Sequence, residues 1–274
     1  MPEIITVPAN IKVDTSRQVT LSRRQLICGL ASGAVVAIAG CTENVALGRS
    51  QFILVSDEQL SQLAASSWAQ LKQKEKVSKS KSYNAQLSRV GSRIASASGL
   101  NGQSWEYTVF EGDEVNAFVL PGGKVGFYSG IMKLFDNDDQ CAVVMGHETG
   151  HVIGRHAAER YSQSVAADVG LTAVGAALQS GDVRYSQEIA AVLGMGVTFG
   201  VILPYSRRDE LEADSLGINM MRSAGYNPVQ AVPFWEKMAA KSGPRQPEFL
   251  STHPDPQTRI AAIKQQLISM GYKV

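Results

Sequence analysis

Met145-Gly146-His147-Glu148-Thr149-Gly150-His151 is the stretch on which the reading of this chain turns. It has the form H-E-x-x-H. On an α-helix the two histidines are one turn apart along the axis and about 40° apart around it, so both imidazoles face one point. A zinc ion can sit at that point, and Glu148 is then placed to take a proton from a water molecule there. The chain has only four histidines, so two at this spacing around a glutamate are poorly explained by chance. A zinc site open to catalysis needs a third protein ligand, which the rest of the chain must supply.

Composition sets the frame for that search. The 274 residues are 44% hydrophobic and 19% charged, the proportions of a globular protein with a sizeable core. A net charge of +1 gives no electrostatic footprint for nucleic acid, and none is expected as a partner. The cysteines are Cys28, Cys41 and Cys141, and only Cys141 reads as an ordinary thiol, so no disulfide framework is expected.

Upstream of the motif the chain opens with a polar stretch, then Ser22-Arg23-Arg24-Gln25-Leu26-Ile27 and an uncharged apolar run to Gly40. Paired arginines before a short apolar segment read as a twin-arginine export signal, with the general secretory route as the alternative. The run is too short for a transmembrane anchor, which needs roughly 20 apolar residues. It ends in Ile38-Ala39-Gly40-Cys41, which resembles a bacterial lipoprotein processing box, and that resemblance implies lipid on Cys41. The expected organisation is a signal peptide over 1–40, a tether over 41–55 and a metallopeptidase domain over 56–274.

Ser56 and Gln59 form a capping box opening a helix through about Lys74. A second helix carries Leu87, Val90 and Ile94 on one face, and both read as scaffold. Trp105 to Glu111 is a strand candidate. Val115-Asn116-Ala117-Phe118-Val119-Leu120, Pro121-Gly122-Gly123 and Lys124-Val125-Gly126-Phe127-Tyr128 read as a hairpin. Its strand Asn116, Ala117, Phe118 could offer a peptide substrate an edge to pair with, or simply belong to the core sheet.

The motif helix is expected to run from Asn137 or Asp138 to about Tyr161. Continued as a helix, it would carry His156 about 140° around the axis from His151, away from the metal. His156 is also one residue early for the metzincin pattern, which needs histidine where Ala157 stands, so it reads as structural. Val165–Leu178 and Ile189–Pro204 are apolar but short of spanning length, and read as helices covering the site, with a membrane-dipping hairpin as the alternative.

Ser206-Arg207-Arg208-Asp209-Glu210-Leu211-Glu212-Ala213-Asp214 offers the missing ligand. Two histidines and a glutamate leave one position open for chemistry. Glu210 and Asp214 are four apart and can face the site from one helix, one binding metal while the other orients a histidine.

His147-Glu148-x-x-His151, Arg207-x-x-Glu210-x-x-Ala213-Asp214 and Asn116-Ala117-Phe118 together resemble the metallopeptidase family of the CAAX prenyl proteases and HtpX, from about Gly48 onward. The soluble bacterial branch, with BepA and LoiP, looks most similar. The resemblance implies a compact α+β gluzincin-type zincin, mainly helical, with one small sheet beside the active-site cleft. It implies one zinc per chain held by His147, His151 and Glu210, with Glu148 as general base and Asp214 orienting a ligand. Glu212 is expected to leave the metal untouched. BepA-like proteins carry a helical-repeat extension, and partner docking attributed to it is not transferred.

His253, in Phe249-Leu250-Ser251-Thr252-His253-Pro254, is the one histidine left without a role. It could cap its loop, act as a fourth zinc ligand closing the site at rest, or donate to a developing oxyanion. The function implied is a zinc endopeptidase cleaving misfolded or misassembled proteins of a bacterial envelope. It would be lipid-anchored on the periplasmic side, at the outer rather than the inner membrane. The competing class is a chaperone-like assembly factor in which cleavage is secondary. A closed structural zinc domain fits poorly, because such sites usually take four protein ligands. Oligomeric state is not legible.

Overall fold

The computed structural model describes residues 41–164, 205–241 and 247–274. The export signal and the apolar segments Val165–Leu178 and Ile189–Pro204 lie outside the described residues, except that Tyr205 just after them is placed. The protein is mainly helical with a small sheet, as expected of an α+β zincin.

The elements are β1 (Cys41–Asn44), β2 (Arg49–Phe52), α1 (Asp57–Lys74), α2 (Lys81–Ala97), β3 (Glu106–Phe110), β4 (Ala117–Leu120), β5 (Lys124–Tyr128), α3 (Ser129–Met132) and α4 (Asp138–Ile153). After a helical stretch at 156–164 come α5 (Arg207–Ser223), a 3₁₀ turn (Pro228–Gln230), α6 (Ala231–Ala239), α7 (Glu248–Thr252) and α8 (Pro256–Ser269). No helix among the described residues is long and apolar enough to cross a membrane.

The main sheet has the order β3-β5-β4, with β5 parallel to β3 and antiparallel to β4 across the Pro121-Gly122-Gly123 turn. Gly122 and Gly123 take φ of 86° and 79°, which a side chain would resist. Strand alternation divides the core in two. Val109, Ala117, Val119, Val125 and Phe127 face Leu87, Val90 and Ile94 of α2 and Val144 of α4. Phe110, Phe118, Leu120 and Tyr128 face Leu60, Ala64, Trp68 and Leu71 of α1. The sheet is therefore sandwiched, with β4 at an edge.

The stretch read as a tether carries structure instead. β1 and β2 pair antiparallel, and Asn44 and Gln51 of this hairpin are buried. Polar side chains make that possible: Asn44 Nδ2 donates to the Ile153 carbonyl at 3.1 Å and Gln51 Nε2 to the Gly154 carbonyl at 2.7 Å. These are the carbonyls of the last residue of α4 and of its C-cap, which lack partners within the helix.

Helix α4 starts where the sequence suggests, with Asn137 accepting from the Gln140 N–H, but it ends earlier. The chain turns at Gly154 and at Arg155, whose φ of 52° is left-handed, before helix resumes at 156. That break redirects everything after it, His156 included.

Candidate metal centre

Helix α4 meets α5 at unusually close range. A Cβ on Gly150 would lie 2.5 Å from the Ala213 carbonyl oxygen, and one on Gly217 would lie 2.9 Å from the His147 nitrogen. Small residues at the crossing let the two backbones approach, so His147 and His151 stand directly opposite Glu210 and Asp214.

The side chains converge there in the interior. His147 Nε2 and His151 Nε2 are 3.2 Å apart. Glu210 Oε1 lies 3.3 Å from His151 Nε2, and Glu210 Oε2 lies 3.5 Å from His147 Nε2. His253, arriving on the loop after α7, puts Nδ1 3.1 Å from His147 Nε2 and 3.0 Å from Glu210 Oε1. All four residues are buried. Tetrahedral ligands at the usual zinc distances of about 2.0–2.1 Å stand about 3.3–3.4 Å from one another, so these separations fit a zinc-sized ion.

Charge supports the same fit. Glu148, Glu210 and Asp214 are three buried carboxyls, and Arg259 is the buried guanidinium among them. With the carboxyls ionised, a dication would balance the group. Burial holds His151 well below the ordinary imidazole range. Burial, helped by Arg259, lowers His147 to about 4, so both rings are neutral as ligands must be. Burial works against ionised Glu210, yet His253, Arg259 and His147 keep it well below the usual carboxylate range.

Outer contacts fix the rings. Asp214 Oδ1 accepts from His147 Nδ1 at 2.8 Å, and Arg259 grips Asp214 through Nε at 2.7 Å and Nη2 at 2.8 Å. Arg259 Nη1 approaches Glu210 Oε2 at 2.9 Å as an ion pair whose angles are not those of a hydrogen bond. The guanidinium also lies over the Trp235 ring, 4.1 Å from its centroid. Tyr205 stacks on His151 with centroids 3.8 Å apart.

Glu148 stands beside the cluster, its Oε1 without a hydrogen bond among the described residues and 3.5 Å from His253 Nε2. Burial pushes its carboxyl up to about 7, in the range for exchanging protons near neutral pH. The Val119 N–H of β4 faces the same carboxylate. Asn116 and Leu120 turn their carbonyls towards β5, so alternation turns the backbone of Ala117 and Val119 to the free edge. Part of that edge is already used: Asn116 Oδ1 accepts the Ala117 N–H, and the Phe249 N–H donates to the Val115 carbonyl.

His147, Glu148, His151, Glu210, Asp214 and His253 thus come together, with Asn116, Ala117 and Phe118 on the neighbouring strand. Cys41 lies apart, exposed at the start of β1. One reading needs correction: His156 does not point away, because the turn at Arg155 brings its Nδ1 to 2.8 Å from His151 Nδ1. Glu212 is not among the four converging side chains and accepts from His156 Nε2 at 3.0 Å. Arg259 was missed, although its place on the stripe of Ile263 and Leu267 marks a charge on a buried helix face.

A model of Peptidase family M48 matches residues 81–267. The mitochondrial metalloendopeptidase OMA1 of Schizosaccharomyces pombe is 37% identical over 185 residues, covering 66% of this chain and 52% of that protein. The beta-barrel assembly-enhancing protease of Escherichia coli K12 is 33% identical over 181 residues, 64% of this chain but 37% of that one. Metalloprotease LoiP of the same strain is 31% identical over 193 residues, 69% of this chain and 74% of its own. The chain thus spans about half, or less, of the first two. With the family model covering most of the chain and the H-E-x-x-H helix within the match, the protein belongs to Peptidase family M48.

Proposed function

We propose that the chain is a zinc-dependent endopeptidase holding one zinc through His147, His151 and Glu210. The observation that carries this is the convergence of those donor atoms, 3.2 to 3.5 Å apart, beside a buried glutamate with an oxygen unpartnered among the described residues. Bound there, zinc supplies Lewis-acid polarisation of the scissile carbonyl and makes water more acidic. Glu148 takes a proton from the attacking water and returns it to the leaving amine. Asp214, held by Arg259, keeps the His147 proton on Nδ1 and leaves Nε2 as a lone-pair donor. A substrate peptide lies along the free edge of β4, bonding to the backbone of Ala117 and Val119.

His253 closes this site at rest. Its Nδ1 occupies the position of a fourth donor, while Phe249 N–H holds Val115 on the same edge that substrate would use. Substrate entry then selects a form in which the loop following α7 has withdrawn. Substrates are misfolded or misassembled proteins of a bacterial envelope, a reading supported by the relatives named for beta-barrel assembly. The chain is anchored on the periplasmic side of a membrane by lipid at the exposed Cys41. Zinc content, and degradation of casein with and without chelator, test the activity. A zinc-loaded protein that cleaves nothing even with His253 replaced by alanine would refute it.

A further inference from the structure

The two histidines of the motif are oriented by different partners. His147 gives its Nδ1 proton straight to a carboxylate, Asp214. Among the described residues, the partner at His151 Nδ1 is not a carboxylate but the Nδ1 of His156, 2.8 Å away. His156 in turn reaches Glu212 through Nε2 at 3.0 Å. Glu212 is gripped by Arg49 of β2, through Nε at 2.7 Å and Nη2 at 2.8 Å. The same guanidinium pairs with Glu159 at 2.9 Å.

His156, Asp209 and Glu212 could be taken for a second metal site, since their donor atoms lie within 4.8 Å of one another. Arg49 decides against it. Its guanidinium already lies 2.7 Å from Glu212 and 3.8 Å from Asp209, supplying the positive charge that a metal would bring.

Only one placement of protons serves a His151 that binds metal through Nε2. His151 must carry its proton on Nδ1 and donate it, so His156 Nδ1 must be a bare acceptor. His156 therefore keeps its proton on Nε2, which requires an acceptor there, and Glu212 is that acceptor. Were His156 protonated on Nδ1, two N–H groups would oppose each other, and His151 would be driven to the tautomer whose proton blocks Nε2.

We propose that His156 is the positioning residue of His151, its tautomer set by Glu212 and Arg49, so that the β1–β2 hairpin forms part of the metal-site support. This rests on the zinc reading above. Removing such an orienting partner costs about 10–100-fold in metal affinity.

The test exploits shape. Asparagine at 156 sets its amide oxygen where Nδ1 stood, restoring the acceptor for His151 and abandoning Glu212. Glutamine reaches the place of Nε2, keeping Glu212 occupied and leaving His151 without its acceptor. Zinc affinity of the full chain, by chelator competition, and the visible spectrum of the cobalt-loaded protein are the readouts. His156→Asn is expected to stay within about threefold of wild type, whereas His156→Gln falls about 10–100-fold and alters the cobalt spectrum. Equal affinities, or the reverse order, overturn the proposal, because a residue that merely ties down Glu212 would be rescued by glutamine. If neither variant folds, Glu212→Leu, which removes the acceptor, serves instead: about a tenfold loss supports the proposal and an unchanged affinity overturns it. A wild-type chain that takes up no zinc would sink the function reading itself. Zinc uptake by wild type without the Asn-over-Gln order sinks only the positioning role.

Discussion

His147 Nε2 and His151 Nε2 face each other across 3.2 Å in the protein interior, each ring with its other nitrogen already engaged. A single proton shared between them could satisfy one ring at a time. A cation would satisfy both, with the Glu210 carboxylate, 3.3 Å from His151, as a further donor. Replacing His147, His151 or Glu210 with alanine is therefore expected to abolish stoichiometric zinc binding. Glu148→Gln should retain zinc and lose peptide hydrolysis by at least about 100-fold, the span of general-base contributions. Metal analysis alongside a peptide-cleavage assay reads both, and zinc-replete Glu210→Ala protein would displace Glu210 from the ligand set.

His253 sits 3.0 Å from Glu210 and 3.1 Å from His147, where a closed site would place its fourth donor. His253→Ala should raise basal proteolysis several-fold while binding zinc more weakly. A fall in kcat with unchanged zinc affinity would instead make His253 a donor to the oxyanion, as stabilisers of developing charge behave.

The contact of α4 with α5 permits no extra atom at Gly150. Alanine would gain up to about 1 kcal/mol of helix propensity. Its Cβ, however, meets the Ala213 carbonyl at 2.5 Å, and backbone cannot swing aside as a side chain can. Overpacking of this kind costs about 1–3 kcal/mol, so Gly150→Ala should be net destabilising and should also spread the ligands. Thermal unfolding of the metal-free protein shows the first effect, and chelator competition the second. An unchanged melting point would mean the helices can separate freely.

Stability should also carry a signature from Glu248 on α7. Burial, then the Glu114 and Glu75 carboxylates, push its carboxyl up to about 7. The folded state then binds the proton more tightly than the unfolded chain, whose glutamate titrates near the ordinary 4.5. The stabilising contribution is complete below about 4.5 and is lost as pH rises towards 7. Glu248→Gln removes that slope, so its melting point should gain on wild type between pH 5 and 8. Parallel curves for the two proteins across that range would show that Glu248 titrates alike in both states.

The sequence by itself determined the parts of the site that one helix can encode. The four-residue spacing of His147 and His151, and of Glu210 and Asp214, fixes which side chains share a face, because helical geometry is local. The capping box at Ser56, the glycine turn at 122–123 and the β-rich run after Val115 were legible for the same reason. Tertiary structure decided the rest. His253 comes to His147 from 106 residues along the chain, and no periodicity announces such a meeting. The left-handed turn at Arg155 reversed the direction read for His156, since extrapolating the helix ignores a break that the Gln51 contact to Gly154 helps to hold. Residues 41–52 looked like a polar tether because their buried groups are hydrogen-bonding side chains rather than apolar ones. Besides local bonds within the hairpin, Arg49, Asn44 and Gln51 take carboxylates and carbonyls that α4, α5 and the stretch after Gly154 bring together, and that requires the folded chain.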